Sequence, residues 1–425
     1  MNLQECLASR KDCSGLGHPL ALNDVKDICK STQQAAFSRT LFFILPDGPD
    51  YKGGIYKYDN DELSLLTNQE KTNFTMEVYP ELLWKEKIPL NELIRIGLTW
   101  QYLSLKAGNL KLGVSQRARK PKKYNKVINQ LTNENHIFLY SVAVRERDKD
   151  ILLEDKSDPL QIKIEEGTFI LDIPDCYKNR AIYENLYKGT SLDDAIFNNV
   201  EVKSPNNSTL HELSQLLWAC EGETDHATHG NRDLVEKNGY GRVHASGCAG
   251  NSVYPIVIVD ELADLPKGSY IYNPVGYSVL NRWIRFNDEI FYDHFIQKFS
   301  SDDFKSEIEE EFNFKFSNYA ILLCIDRKKP CSGFLHSKLL DVTYWSEIES
   351  GMALAGLQLQ ANGLGLKWQK LILPNPDDSK LRRLFRLDSA ENTINNLASK
   401  LVNPAKNESL SLKSNLVPTV LFYLQ

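Results

Sequence analysis

One segment of the sequence occurs twice, at a constant distance along the chain. GLTWQYLSLKAGNLKL (residues 97–112) aligns without gaps with GMALAGLQLQANGLGL (residues 351–366), and six of the sixteen positions are identical. Leu and Ala are among the commonest residues of proteins, so this match alone is compatible with coincidence. A true repeat would constrain the fold strongly, because it predicts two copies of one structural unit.

Two further matches follow in the same order in both halves. GGIYKYDNDELSLL (residues 53–66) aligns with KGSYIYNPVGYSVL (residues 267–280), and both keep Gly, Tyr-x-Tyr and a final Leu. A weaker match pairs LALNDVKDIC, from Leu20, with NSTLHELSQLL, from Asn207, since each has a polar cap before a helical apolar pattern. Three collinear matches predict a tandem duplication, with coincidental similarity between helices as the alternative.

A charged segment marks the boundary between the two copies. RERDKDILLEDKSDP, residues 145–159, is poor in large apolar side chains apart from Ile-Leu-Leu, which is typical of an exposed connection. We therefore predict copy one over residues 1–150, a linker over 151–165 and copy two over 166–425. The chain has 425 residues, which is long enough for each copy to bury its own core.

Helices and strands follow one another without a regular β-α-β order, which favours an α+β fold over a doubly wound parallel sheet. Apolar periodicity predicts helices near Asn23, Gly97, Tyr124, Thr209 and Glu349, and buried strands at RTLFFIL, HIFLYSVAVR, YPIVIV, YAILLCI and VPTVLFYL. Copy two is longer, and we predict a helical insertion over residues 289–312. The aromatic segment 281–299 has a helical period and is a candidate lid, with core packing as the alternative.

The composition indicates a globular protein without membrane association. Hydrophobic residues make up 42% of the chain, and no segment approaches 18 consecutive apolar residues. The N-terminus has no apolar signal core, so we expect a cytoplasmic protein. The eight cysteines form no C-x-x-C pair and occupy apolar contexts, which favours reduced core thiols. The net charge of −6 argues against a nucleic-acid partner.

Four segments of copy two resemble the flavin-dependent nitroreductase superfamily. They are LHELSQLLWACEG (210–222), RVHASGCAGNSVYPIVIV (242–259), LPKGSYIYNP (265–274) and ESGMALAGLQLQANGLGL (349–366). Within the superfamily, the set is similar to SagB-type dehydrogenases, which oxidise azolines in modified peptides. The resemblance implies an α+β, nitroreductase-like fold that dimerises and binds FMN at the subunit interface. Two tandem copies would then form an intramolecular pseudo-dimer.

The resemblance also implies a phosphate-binding motif near the start of each copy. The family begins with a basic, Ser-containing run, and the corresponding residues of copy one are Arg10, Lys11 and Ser14 in ASRKDCSG. An Arg guanidinium suits phosphate because it donates two parallel hydrogen bonds. Copy two has FNNVEVKSPNN (197–207) at this place, which contains no Arg. The basic run 116–126 is a further candidate for a flavin phosphate or an acidic peptide, with a solvated surface as the alternative.

The second implied element is a turn of small residues against the flavin ring. Copy two offers HASGCAGNS, in which Ser246, Gly247, Gly250 and Asn251 suit hydrogen bonds to the ring edge. Copy one offers STQQAAFSRT, which contains no glycine. Because the losses are reciprocal, we predict one complete FMN site, which combines this loop with the phosphate motif of copy one and its turn from Lys111 to Gly113. The alternative is that neither copy binds flavin.

The catalytic residues are less clearly marked. SagB-type enzymes carry a Lys-Tyr pair before the Glu-x-Gly of the repeated helix, and counting back from Glu349 this position holds Ser337 and Lys338. We expect Lys338 or Tyr344 to take the proton that accompanies hydride transfer to FMN. Since the pair is not retained, the expected reaction is the broader class of flavin oxidation of a C–N or C–C bond.

A histidine-containing loop has two interpretations. TDHATHG contains His226 and His229, with His244 and Cys248 downstream, and such residues ligate zinc. No second paired ligand motif follows, which favours a polar loop over the flavin pocket and no bound metal.

These features predict an FMN-dependent oxidoreductase that acts on a peptide- or carrier-bound heterocycle or amino-acid-derived substrate in a natural-product pathway. One alternative is an NAD(P)H-dependent nitro or quinone reductase, and another is a flavin-free scaffold for a modifying complex. A peptide or small molecule is the expected partner, and the pseudo-dimer could associate further into a homo-oligomer.

Overall fold

The computed structural model describes the chain in segments. The described residues are 2–8, 17–35, 40–81, 88–117, 122–134, 136, 138, 141–146, 160–162, 166–171, 190–203, 208–222, 243–244, 252–272, 284–286, 289–291, 294–327, 344–399, 402–403, 408–409 and 415–425. We call the part that ends with strand β6 the first half and the remainder the second half.

The first half begins with two helices and then alternates between sheet and helix. Its elements are α1 (Leu3–Ala8), α2 (Leu22–Ala35), β1 (Leu41–Leu45), β2 (Gly54–Asp59), β3 (Glu62–Thr67), β4 (Met76–Pro80), α3 (Leu90–Asn109), β5 (Leu112–Arg117), α4 (Lys122–Thr132) and β6 (Ser141–Glu146).

The second half has the same kinds of element with additions. In chain order they are β7 (Leu160–Ile162), β8 (Thr168–Ile170), α5 (Leu192–Phe197), α6 (Leu210–Glu221), β9 (Val253–Val259), β10 (Gly268–Tyr272), β11 (Ile284–Phe286), β12 (Glu289–Phe291), β13 (Phe295–Ser300), α7 (Lys305–Phe312), β14 (Tyr319–Asp326), α8 (Trp345–Gly363), β15 (Trp368–Ile372), α9 (Ser379–Leu384), α10 (Leu387–Ser399), β16 (Val402–Asn403), β17 (Glu408–Ser409) and β18 (Leu416–Leu424).

The two halves have the same sheet topology. The strand order is β3-β2-β1-β4-β6-β5 in the first sheet and β8-β13-β10-β9-β14-β18-β15 in the second. All neighbouring strands in both sheets are antiparallel. Apart from the added edge strand β8, each strand of the first sheet has a counterpart at the same place in the second. This shared order is consistent with a tandem duplication.

Strands β1 and β9, in the interior of the two sheets, are buried on both faces, as the continuous apolar runs LFFIL and VYPIVIV predict. Side chains alternate between the faces along a strand. In β1, Phe43 contributes to the cluster shared with α2 and α3, whereas Phe42 packs with Phe138 on the opposite face. In β9, Val257 faces the central helices and Ile256 faces α9 and α10. The two sheets therefore lie on the outer sides of a helical layer.

The helices α3 and α8, which carry the repeated segment, cross at a pair of glycines. A Cβ atom on Gly97 would lie 2.0 Å from the carbonyl oxygen of Ile348, and one on Gly351 would lie 2.2 Å from that of Ile94. Gly97 and Gly351 are equivalent in the repeat, and so are Ile94 and Ile348. Each half thus presents the same surface to the other, which is the pattern of an isologous interface.

The apolar residues beside these glycines pack into the core of the opposite half. Ile94 and Leu98 of α3 belong to the core cluster of the second sheet, while their equivalents Ile348 and Met352 of α8 belong to that of the first. An interface of this kind resembles a domain core rather than a loose contact between domains, because its side chains complete both cores.

A second pair of equivalent elements meets where α1 approaches α5. Asn2 and Ser191 form an antiparallel bridge, and the backbone N–H of Leu3 donates to the carbonyl of Thr190. Asn2 caps α1 by accepting from the N–H of Glu5, and Ser191 caps α5 by accepting from that of Asp194. The two short helices thus begin in the same way and meet at their first residues.

The predicted helical insertion is partly wrong. Helix α7 lies within residues 289–312, but residues 289–291 and 295–300 of this range are strands, as are residues 284–286 of the aromatic segment. Strand β13 pairs with β10 and occupies the place that β3 has in the first sheet. Phe295 and Ile296 are buried there, so the aromatic residues that suggested a helical period instead fill a sheet. The lid proposed for residues 281–299 therefore has no helix among its described residues.

Most other predicted elements are present, including the repeated helices and the buried strands near residues 41, 253, 319 and 416. Cys6, Cys29, Cys220 and Cys324 are buried and free, as expected for core thiols. Burial raises the pKa of the Cys6 thiol to about 12. The boundaries at residues 150 and 166 remain predictions.

Candidate functional site

The loop predicted to contact flavin, residues 245–251, is anchored at its N-terminal side by both halves. Gln101 of α3 donates its amide Nε2–H to the carbonyl of Val243 at 2.8 Å. His244 places Nε2 2.5 Å from Oε1 of Glu221, at the end of α6, and both residues are buried. A buried carboxylate is stable only when it is paired. The two contacts therefore fix the chain where the loop begins.

The C-terminal side of the loop is held by a carboxylate with no solvent exposure. Glu349 of α8 accepts a 2.9 Å hydrogen bond from the backbone N–H of Ser252 and a second from the Ser252 hydroxyl. Its other oxygen accepts from the indole N–H of Trp345 at 2.6 Å. Glu349 is 0% exposed, so these donors compensate for its lost hydration. Ser252 is the residue that follows the loop directly.

Gln101 also supplies a test of whether this region suits a flavin. Its Oε1 is buried and accepts no hydrogen bond from any described residue. An acceptor left open beside the loop fits a ligand with an N–H donor, which the edge of a flavin ring carries. The residues predicted on the loop, Ser246, Gly247, Gly250 and Asn251, lie outside the described residues, as do His226, His229 and Cys248.

The predicted residues of copy one fall into two groups. Arg10, Lys11 and Ser14 lie outside the described residues. The turn at Lys111 and Gly113 is described: it ends α3 and begins β5, with Gly113 buried and Lys111 in the left-handed region at φ 60°. Its counterpart in the second half, Gly365, has φ 70°. The two turns therefore share one local conformation.

Of the two candidate catalytic residues, Tyr344 is described and Lys338 lies outside the described residues. Tyr344 precedes α8 and is half-buried, where it packs against the core cluster of the first sheet. The next residue, Trp345, meets Trp100 of α3 edge to face, with ring centroids 5.4 Å apart. Tyr344 thus lies beside the junction of the two central helices.

A cavity of about 340 Å³ lies between the halves. It is lined by residues from α2, α3, α5 and α8, and by the turn and strand that follow α8. The repeat relates Lys111 and Gly113 to Gly365 and Lys367, and the latter two residues line the cavity. Two residues of the cavity lining are therefore the counterparts, under the repeat, of the predicted turn residues Lys111 and Gly113.

The cavity residues Gln358, Trp368 and Lys370 have no distinctive signal in the sequence. In KWQKLIL the pattern around Lys370 is typical of a surface strand, and it does not indicate that Lys370 lines a cavity. Burial lowers the pKa of the Lys370 ammonium to about 8.

A second polar cluster lies in the first half, away from α8. Nδ1 of His136 is 2.6 Å from Glu81, and Nε2 is 3.0 Å from Glu134 and from the hydroxyl of Thr132. These three residues offer carboxylate and imidazole atoms close enough to share a cation. Both ring nitrogens are already engaged by different side chains, which favours a structural link between β4 and the segment after α4.

None of the described helices is long and apolar enough to cross a membrane. No protein-family model matches the sequence, and no curated protein matches it.

Solved structures do show similarity. A protein from Anabaena variabilis assigned to the nitroreductases matches with a TM-score of 0.51 and 10% identity, over 99% of this chain and 87% of that chain. Another from Ralstonia eutropha matches with a TM-score of 0.36 and 13% identity, over 65% and 97%. The Escherichia coli microcin synthetase McbBCD complex, with truncated pro-MccB17 bound, matches with a TM-score of 0.32 and 12% identity, over 60% and 83%.

The first of these comparisons shows a nitroreductase-like α+β fold, and its match extends over both halves of the chain. At 10% identity the likeness concerns the fold alone. The other two comparisons have TM-scores below 0.5 and do not show a common fold.

Proposed function

We propose that the protein is an FMN-dependent oxidoreductase that binds one flavin between its two halves. The observation that carries this proposal is the anchoring of Val243, His244 and Ser252, the described residues that flank residues 245–251. Gln101 of one half and Glu221 and Glu349 of the other hold both ends of this loop at the junction of the central helices. A sequence of small residues whose flanking residues are held at an interface is suited to a flat cofactor.

The pseudo-dimer is part of this proposal. The reciprocal contacts of Gly97 and Gly351 support it, because a duplicated dimer would place equivalent residues opposite one another. Joining the halves in one chain makes their association intramolecular, so assembly of the site does not depend on protein concentration.

Each predicted residue has a proposed role. Arg10, Lys11 and Ser14 hold the phosphate, and the turn from Lys111 to Gly113 offers backbone groups on the same side. Ser246, Gly247, Gly250 and Asn251 hydrogen-bond the ring edge. FMN, when bound, supplies the hydride-accepting chemistry. Lys338 or Tyr344 takes the accompanying proton from the substrate.

The proposed substrate is a peptide- or carrier-bound heterocycle or an amino-acid-derived compound of a natural-product pathway, in the cytoplasm. The support for this finer assignment is the set of four segments that resemble SagB-type dehydrogenases. An NAD(P)H-dependent nitro or quinone reductase would have the same fold and the same flavin site, and a flavin-free scaffold would have the fold alone.

Flavin content and reduction by NADH separate these three functions. We expect the purified chain to carry FMN and to be reduced slowly by NADH in the absence of other substrates. Rapid reduction by NADH would favour the nitro or quinone reductase. A folded chain that neither contains nor takes up FMN would support the third function, a flavin-free scaffold.

The variant Gly247→Val tests the predicted loop. It should fold but lose FMN, because a branched side chain would occupy the ring position. Full FMN content in this variant would show that the loop is not part of the site.

A further inference from the structure

One edge of the second sheet is covered by a strand that has no counterpart in the first sheet. Strand β8 pairs antiparallel with β13, with Phe295 opposite Ile170 and Ile296 opposite Phe169. In the first sheet the place of β13 is taken by β3, which pairs with β2 and is the last strand of its sheet. The fold therefore accepts a further antiparallel strand at this position, and no strand in the described part of the first half fills it.

The outer edge of β3 is exposed to solvent and carries little charge. Glu62, Ser64 and Leu65 are exposed, and the exposed fraction of Leu65 is 43%. Only three large apolar side chains in the described part of the chain are exposed to this extent. Charged residues or prolines usually protect an edge strand, because its free N–H and C=O groups pair readily with another strand. In ELSLLT only Glu62 is charged, so β3 has little of this protection.

Two leucines of β3 lie on the same face of the first sheet. Leu63 is opposite Tyr58 and Leu65 is opposite Tyr56, and both tyrosines belong to the core cluster shared with α2 and α3. The pairing of β2 with β3 is regular up to Leu65 and irregular after it. Leu63 packs against the cluster, whereas Leu65 is exposed. A strand added at this edge would extend the apolar face and cover Leu65.

The sequence of β3 is complementary to itself. In an antiparallel pair of identical strands with a two-fold axis through Ser64, Leu63 of each copy lies opposite Leu65 of the other. Residues directly opposite one another lie on the same face of a sheet, so four leucines would meet there. Glu62 would lie opposite Leu66, and no two like charges would face each other. The same strand of a second copy therefore fits this edge in polarity and charge.

We propose that two copies of the chain associate through β3, which joins their first sheets into one continuous antiparallel sheet. Each copy covers Leu65 of the other, as β8 covers the equivalent edge of the second sheet within one chain. The pairing uses none of the residues assigned to the flavin, so it does not depend on the proposed function.

Sedimentation velocity of the full chain over a range of concentrations tests the association. We expect a reversible change from one chain to two as the concentration rises. Leu65→Lys should weaken the association by ~10-fold or more, because each dimer loses two buried leucines and gains two charges. Leu131→Lys is the matched control. Leu131 is also 43% exposed but lies on α4, so this variant should associate like the wild type.

Disulfide trapping tests the register of the pairing. Ser64→Cys places two thiols across the two-fold axis, where the Cα atoms of an antiparallel pair are about 4.5–5.5 Å apart, within the range of a disulfide. Mild oxidation of this variant with diamide should give a covalent dimer. In Thr67→Cys the two positions are about 20 Å apart along the strands, so the same treatment should leave this variant unlinked.

Three results would overturn the proposal. A chain that stays monomeric at every concentration would leave this edge to an extended segment of another protein. Equal association of the Leu65→Lys and Leu131→Lys variants would show that the chains meet through another surface. Covalent dimers from Thr67→Cys but not from Ser64→Cys would contradict the axis through Ser64. If Leu65→Lys does not fold, trapping of Ser64→Cys is the second readout, and its failure would contradict the pairing.

Discussion

The two halves share a strand order but differ in the polar residues that they bury at equivalent positions. In the first half, Nζ of Lys106 on α3 lies 2.7 Å from Asp27 and 2.6 Å from Asp193. Its equivalent on α8 is Gln360, which donates a neutral hydrogen bond to Gln215. At this pair of equivalent positions, α3 therefore buries a charged side chain and α8 a neutral amide.

The same contrast is found where the central helices meet the loops. Arg95 of α3 bonds to Glu92 and to the carbonyl of Glu81, both within the first half. Its equivalent in the repeat, Glu349, holds Ser252 and thus the end of the predicted flavin loop. Arg95 and Glu349, a base and an acid at equivalent positions, therefore make different contacts: Arg95 bonds within the first half, and Glu349 holds the residue that follows the predicted flavin loop.

The largest expected effect is on stability, and it comes from the close crossing of α3 and α8, to which both halves contribute. Gly97→Val should lower the free energy of unfolding by about 3 kcal/mol, because its side chain would overlap the backbone of α8. Gly108→Ala, near the end of the same helix, is the control. No atom lies within 4 Å of its added methyl group, so it should raise the free energy of unfolding by about 0.5–1 kcal/mol. Urea unfolding measures both, and equal effects would contradict the close crossing.

A smaller effect separates the roles of Glu349 and Arg95. Removing the charge in Glu349→Gln should cost about 1.5–3 kcal/mol of stability, as expected for hydrogen bonds to a charged group. It should also reduce FMN retention, because the loop loses its anchor. Arg95→Met should destabilise the chain by a similar amount without loss of FMN. Urea unfolding and flavin absorbance on the same samples give both quantities, and equal FMN loss in the two variants would contradict the assigned asymmetry.

The smallest effect concerns pH. The pKa of Lys370 is about 8 in the folded chain, whereas its ordinary value is 10.5. Between pH 8 and 10.5 this side chain is therefore protonated in the unfolded chain and neutral in the folded chain. This residue's contribution to the free energy of unfolding therefore rises with pH from about 8 to 10.5. Lys370→Met should be more stable than the wild type at pH 7, and the advantage should shrink by pH 10. A constant difference would contradict the lowered pKa.

The sequence predicted the repeated elements because their signals are local. Polar capping residues and the helical period of apolar residues predict the helices that start near Leu22 and Leu210. The repeated segment itself indicates that α3 and α8 carry glycines at equivalent positions. It could not predict the shared crossing of Gly97 and Gly351, since contact between two distant segments has no local signature. The segment 281–299 was misread as helical because aromatic residues at close spacing suit either a helix or a buried strand.

Part of the candidate site could also be predicted, but not its framework. In the sequence Glu349 is only part of the Glu-x-Gly of the repeated helix, because its hydrogen bonds to Ser252 and Trp345 depend on tertiary structure. Burial is likewise invisible in the letters, so Gln358 and Lys370 were not distinguished from surface residues.

Titration of the flavin-free chain with FMN tests the central claim that the two halves together form one flavin site. We expect saturation at one FMN per chain. Arg10→Ala should weaken binding by ~10- to 150-fold, because it removes a charge-assisted contact to phosphate. Lys203→Ala should change it little, since Lys203 is exposed and pairs with Glu212. Saturation at two FMN per chain, or equal weakening by the two variants, would contradict the single asymmetric site.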